Sequence, residues 1–282
     1  MAKKPSSSGH RTKLNSGELR GIKRRYEQFK FDTLQMYMGY PYILKSADTD
    51  ATIEIKSPTL GDIIKIGQDR FYAGINPFVT NTTQYKLPLW KANKDWNTMS
   101  DFELFITFVS ARNLDEEVLS LVFGENVDWN AFTPYMEQIE GKDTYYLISE
   151  EFNYKMDENV YQHMTQYLHM LLNIFPEEKV TKDPALKQLF IKTEERKLKN
   201  AEAKEKKENF SLQPLISACV NHPGFKYKTS ELRELSLYEF YDSVHRLQVY
   251  ETTTALLSGM YSGFCDTSKI PQEQFNWMRE LN

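Results

Sequence analysis

Between Asp183 and Asn209 runs DPALKQLFIKTEERKLKNAEAKEKKEN, a stretch of strong helix formers whose character changes part-way along. Ala185, Leu186, Leu189, Phe190 and Ile191 give its start an apolar side, after which nearly every residue is charged or polar. A helix that loses its apolar stripe cannot be buried on all sides there. It must cross solvent, join two lobes or carry a partner. The expectation is a mainly α-helical interaction protein in which this helix is a landmark.

Composition supports a packed core. The chain has 282 residues, 40% of them hydrophobic, with 17 Tyr and 17 Phe, too apolar for a wholly disordered protein. Charge is unevenly placed: residues 1–30 hold nine Lys/Arg against Glu18 and Glu27, while the whole chain is at −4. Lys3, Lys4, Arg11, Lys13, Arg20, Lys23, Arg24 and Arg25 are therefore candidates for polyanion binding, against the plainer reading of a solvated basic arm. Cys219 and Cys265 show neither metal-site nor disulfide-framework spacing. Basic residues at the start precede no apolar run of signal-peptide type, and no stretch has the length and apolarity of a membrane span. These features fit a reduced intracellular compartment.

Three parts are expected: a basic flexible arm and helix (1–39), a small mixed α+β part (40–150), and a helical, bundle-like part (151–282) that includes the charged helix. Ser16 is a candidate cap for a helix running to Met38, with Leu34, Tyr37 and Met38 as its docking face, stopped by Tyr40-Pro41. Thr52–Lys56 alternates as a strand does, and Thr144–Ser149 is a second strand that pairs with it or with a neighbour. Thr59 or Ser57 caps one helix reaching Tyr72, with Ile63, Ile64, Ile66 and Phe71 on its apolar side. Ser100-Asp-Phe-Glu103 and Ser236-Leu-Tyr-Glu239 are capping boxes. Glu116–Phe123 is a short helix ended by Gly124. Val160, Met164, Tyr167, Leu168, Leu171 and Leu172 give Met156–Phe175 its helical period, with Phe175-Pro176 as the stop. A turn of helix follows Pro271.

The search for chemistry is short. Gly61 and Gly67 form no phosphate-binding pattern. His163 and His169 lie six residues apart, about 240° around a helix, where two zinc ligands would not meet. Asp242 and His245 can pair on one helix, most simply as a surface contact. No nucleophile elbow is present. The expected catalytic, metal and cofactor assignments are accordingly none, and no enzyme is expected. Two aromatic patches remain as candidates for partner binding: Phe78, Tyr85, Trp90 and Trp96 in a Pro- and Asn-punctuated stretch, and Phe240, Tyr241, Leu247 and Tyr250 on the long helix. The alternative for the first is a loop that turns its aromatics into the adjacent core.

The segments IEIKSPTLGDIIKIGQDRFY, YKLPLWKANKDWNTMSDFELF and LVFGENVDWNAF, with LQPLISACVNHPGFKY and LSLYEFYDSVHRLQVYETTTALLSGMYSGF, resemble proteins of tailed bacteriophages and prophages of Gram-positive hosts. The resemblance covers about residues 40–282 and is to tail-morphogenesis products similar to tail assembly chaperones, which hold the tape measure protein before the tube polymerises. It implies a phage structural or tape measure protein as partner and a place in the host cytoplasm during infection. The alternatives are a structural component kept in the virion and a nucleic-acid-binding protein using the arm. Self-association is a further expectation, and a membrane partner is not expected.

Overall fold

The computed structural model describes residues 29–139, 141–203, 211–263 and 268–281. Contacts divide the chain into a unit of residues 1–30 and a unit of residues 31–282. All eight polyanion-binding candidates, Lys3 to Arg25, fall outside the described residues, as do Ser16 and Cys265.

Most helices start where local capping chemistry places them. Asp32 Oδ1 accepts from the amides of Leu34 and Gln35 at 3.0 and 3.2 Å and opens α1, Thr33–Tyr37. Residues 29–32 are not helical, so the expected continuous helix up to Met38 is corrected. Its inward residue is Met36, while Leu34 and Met38 are 68% and 62% exposed. An antiparallel hairpin follows, β1 (Tyr42–Lys45) and β2 (Thr52–Ile55), with the buried pair Leu44 and Ile53 opposite each other. Thr59 and Asp62 form a capping box for α2, Leu60–Ile66. The helix expected to reach Tyr72 breaks at Gly67, whose φ of 92° suits glycine, and resumes as α3, Gln68–Val79. Ile63 and Phe71 point inward as expected, whereas Ile64 is mostly exposed.

Helices α4 (Lys86–Lys91), α5 (Asp101–Ser110) and α6 (Glu116–Phe123) follow. The Ser100–Glu103 box opens α5, and Gly124 caps α6. After a 3-10 turn at Trp129–Ala131 comes an antiparallel meander of β3 (Thr133–Ile139), β4 (Lys142–Ser149) and β5 (Tyr154–Met156). The strand read at Thr144–Ser149 thus pairs with its neighbours, and β2 with β1. Asp157 caps α7, Glu158–Leu172, which buries all six residues expected from its period. It ends two residues before Phe175, on Asn173 in the left-handed region (φ 53°, ψ 43°).

The charged helix is α8, Pro184–Ala203. Ile191 is its buried anchor, in a small cluster with Leu87, Leu89, Trp96 and Leu104 that seats α8 on α4. Lys86 Nζ, itself buried, reaches Glu194 Oε1 at 3.2 Å and donates to the Thr83 carbonyl at 3.1 Å, and Lys187 pairs with Asp95. Last come α9 (Leu212–Val220), the 25-residue α10 (Leu237–Tyr261) opened by the Ser236–Glu239 box, and a 3-10 turn at Gln272–Phe275. Helices hold 51% of the structure, beside five strands in two small sheets.

The main core is continuous from Met36 and Ile55 through Phe71, Phe105, Trp129 and Leu168 to Leu237, Phe240 and Val244. The boundary expected at 150/151 falls in the turn between paired strands β4 and β5. Two capping boxes also meet: Thr59 and Ser236 form an isolated antiparallel bridge. Around it the Leu60 amide donates to the Leu235 carbonyl and the Leu237 amide to the Pro58 carbonyl, each at 2.9 Å. The starts of α2 and α10 are thereby tied by main chain as well as by side chains.

Candidate partner-binding groove

Of the first aromatic patch, most is interior. Phe78 is fully buried, edge-on to Phe105 and Trp129 at 5.0 and 4.8 Å. Trp96 is fully buried and its Nε1 donates to the Lys179 carbonyl at 3.1 Å. Tyr85 packs edge-on to Phe108, and its hydroxyl accepts from Asn76 Nδ2 at 2.9 Å. Trp90 alone of the four is an exposed ring, at 40%. As a partner surface the stretch is corrected: the loop folds its aromatics inward, because doing so removes large apolar areas from water.

The second patch divides. Phe240 belongs to the core and presents no surface. Tyr241 packs beside it, its hydroxyl 3.4 Å from that of Tyr72. Leu247 and Tyr250, a turn or two further along α10, line an open groove of about 920 Å³. Its other walls come from Tyr37 at the end of α1, from the loop carrying Phe225, Tyr227, Glu231 and Glu234, and from Trp277. Sequence distance hid this assembly. Tyr37 was legible as a docking residue, but Phe225, Tyr227 and Trp277 carried no periodic signal; the only hint was the aromatic pair in GFKY, before a capping box.

Local bonding holds the walls. Phe225 and Tyr227 meet edge-on at 5.6 Å, and Tyr250 and Trp277 at 6.0 Å. Arg246 Nη1 donates to the carbonyls of Trp277 and Arg279 at 2.9 and 2.7 Å, clipping residues 277–279 to α10. Thr253 Oγ1 extends the clip by donating to the Gln274 carbonyl at 3.1 Å. Glu231 Oε2 accepts from the Lys228 amide at 2.7 Å and so shapes the loop.

The groove is electronegative. Glu231, Glu234, Glu239 and Asp242 line it against Lys226 and Arg246. Burial raises the Asp242 carboxyl above the usual range, opposed by Arg246 and His245. Burial, followed by the influence of Tyr227, Asp242 and Glu239, pushes the Tyr37 phenol up to about 12. Among the described residues no group of three His, Cys, Asp or Glu is placed to hold a metal ion. Burial raises the Cys219 thiol, and His222 Nε2 lies 3.3 Å from Glu251 Oε1. No helix of the described residues is long and apolar enough to cross a membrane.

Residues 204–282 match the family model for the second domain of YomV. YomV is a protein of Bacillus phage and prophage, and the match suggests a phage-derived chain. No curated protein and no solved structure matches the sequence. The YomV-like segment supplies every wall of the groove except Tyr37.

Proposed function

We propose that this chain is a non-catalytic binding protein of phage morphogenesis, similar in role to a tail assembly chaperone, that holds a segment of the tape measure protein in the host cytoplasm. The observation that supports this reading is the groove in the YomV-like segment: about 920 Å³, open, and walled by Tyr37, Phe225, Tyr227, Tyr250 and Trp277. Aromatic walls of that extent, half-buried at Tyr37, Phe225 and Tyr227 and exposed at Tyr250 and Trp277, suit a peptide or amphipathic helix laid into a groove. Tyr and Trp give such a surface large contact area with a polar tip.

The test is a tagged full-length chain expressed in phage-infected cells, with mass spectrometry of the eluate and of purified virions. The reading expects the tape measure protein in the eluate, its loss with the Tyr250→Ala/Trp277→Ala variant, and no chain in virions. Stoichiometric presence in virions would replace it with a structural virion role. Recovery of nucleic acid, lost in salt and on removal of residues 1–25, would replace it with a nucleic-acid-binding role.

A further inference from the structure

We infer that the segment held in this groove is cationic, a lysine- or arginine-bearing peptide of the partner whose apolar side chains lie on the aromatic walls and whose charges sit among Glu231, Glu234, Glu239 and Asp242. The inference rests on the binding role proposed above and names the chemistry of the occupant.

Charge complementarity carries it. Of the two cations among the lining residues, Arg246 is held in place by the bonds of its Nη1 to the carbonyls of Trp277 and Arg279, and its charge offsets one carboxylate, Asp242. Lys226 is exposed and is outnumbered by four carboxylates. Those carboxylates keep acceptor capacity: among the described residues the bonds to Glu231 and Glu239 fall on Oε2 of each. An occupant that was wholly apolar would strip water from carboxylates without pairing them, which is costly. An acidic peptide or a nucleic acid would meet like charge. A lysine or arginine offsets the desolvation with an ion pair, and its cation also gains from the faces of Tyr37, Tyr227, Tyr250 or Trp277.

Panning a random library of short displayed peptides on the immobilised full-length chain tests this, followed by fluorescence anisotropy with each enriched peptide. The expected sequences interleave Lys or Arg with aromatic or aliphatic residues. Their affinity should fall about tenfold or more with Glu234→Gln/Asp242→Asn, and should weaken with added salt. Glu234 is exposed, so Glu234→Gln alone keeps the fold and should show part of the loss. Glu195→Gln, on α8, is the control expected to change nothing.

Enrichment of neutral or acidic peptides, equal binding to the carboxamide variants, or failure to enrich any peptide would each overturn the inference. So would a synthetic peptide of residues 1–28 that displaces every enriched peptide at lower concentration, since the occupant would then be this chain's own basic segment. The binding role is judged separately. Tape measure capture that survives Glu234→Gln/Asp242→Asn but is lost with Tyr250→Ala/Trp277→Ala leaves that role standing while the cationic occupant falls.

Discussion

The amide of Gly61 donates to the carbonyl of Arg233 at 3.0 Å, and a Cβ on Gly61 would stand 2.6 Å from that same oxygen. Backbone this close leaves no room for a side chain, so Gly61→Ala must push the 228–235 loop away from α2. We expect a loss of about 1–3 kcal/mol in unfolding free energy by urea titration. A variant as stable as the parent would mean that the loop yields without loosening the bridge between Thr59 and Ser236.

Arg246→Ala should release the clip on the C-terminal segment. One guanidinium nitrogen serves two carbonyls, and hydrogen bonds from charged donors each contribute about 1.5–3 kcal/mol. Amide hydrogen exchange across residues 271–281 is expected to quicken by about tenfold or more, with α7 unchanged. Equal exchange in both proteins would show that Thr253 and the Tyr250–Trp277 contact suffice to hold the segment.

Lys86→Ala should loosen the charged helix. The Lys86 ammonium is buried between the Thr83 carbonyl and Glu194, and Glu194 also pairs with Lys197 at 3.0 Å. Its removal should cost about 1.5–3 kcal/mol, visible as faster exchange along α8. Lys86→Met keeps the buried stem and should cost less. A Lys86→Met variant as stable as the parent would place the stabilisation in packing of the stem rather than in the ion pair.

His169 predicts a pH dependence. Burial lowers its pKa below the usual 6.5, only partly offset by the bond of its Nε2, 2.8 Å from the Val79 carbonyl. The unfolded chain therefore takes up a proton at a higher pH than the folded one does. The stability gained from holding the ring neutral is complete above the ordinary histidine value and declines as pH falls through it toward the folded pKa. A denaturation series from about pH 7.5 down to pH 5 should show the decline, and His169→Gln should flatten it. An unchanged slope in the variant would assign the acid sensitivity to other groups.

Local chemistry made much of the helical frame legible. Ser100 and Ser236 cap where their spacing to the following glutamate says they should, and Thr59 is the cap of the two weighed, since a cap needs only neighbours in sequence. The strands were harder. In β3 nearly every residue is exposed, so no alternation marks it, and β1 has four residues whose pattern has meaning only beside β2. Helix α8 keeps its stripe just long enough to bury Ile191, and the chain beyond it returns to the same core instead of starting another. The groove was least legible. Tyr37, Tyr227, Tyr250 and Trp277 meet only after α10 has been laid beside α1, and aromatic composition alone ranked the interior Phe78 and Trp96 equal to the exposed Tyr250.

The bridge of the two caps bears on whether the YomV-like segment is separable from the rest of the chain. Its long helix α10 begins on carbonyls and amides that belong to residues 58–61, α9 begins with the Leu212 amide on Gln68, and Leu212, Leu237 and Phe240 complete a core whose other half lies upstream. Residues 204–282 grafted in from another chain would arrive with one raw apolar face and an unpaired edge at Ser236. Successful exchange then demands a host chain that already offers a glycine opposite residue 233 and an open Pro58 carbonyl. Separability in this protein is thus a property of matched edges, and chimaeras are expected to fold in proportion to how well that one short seam agrees.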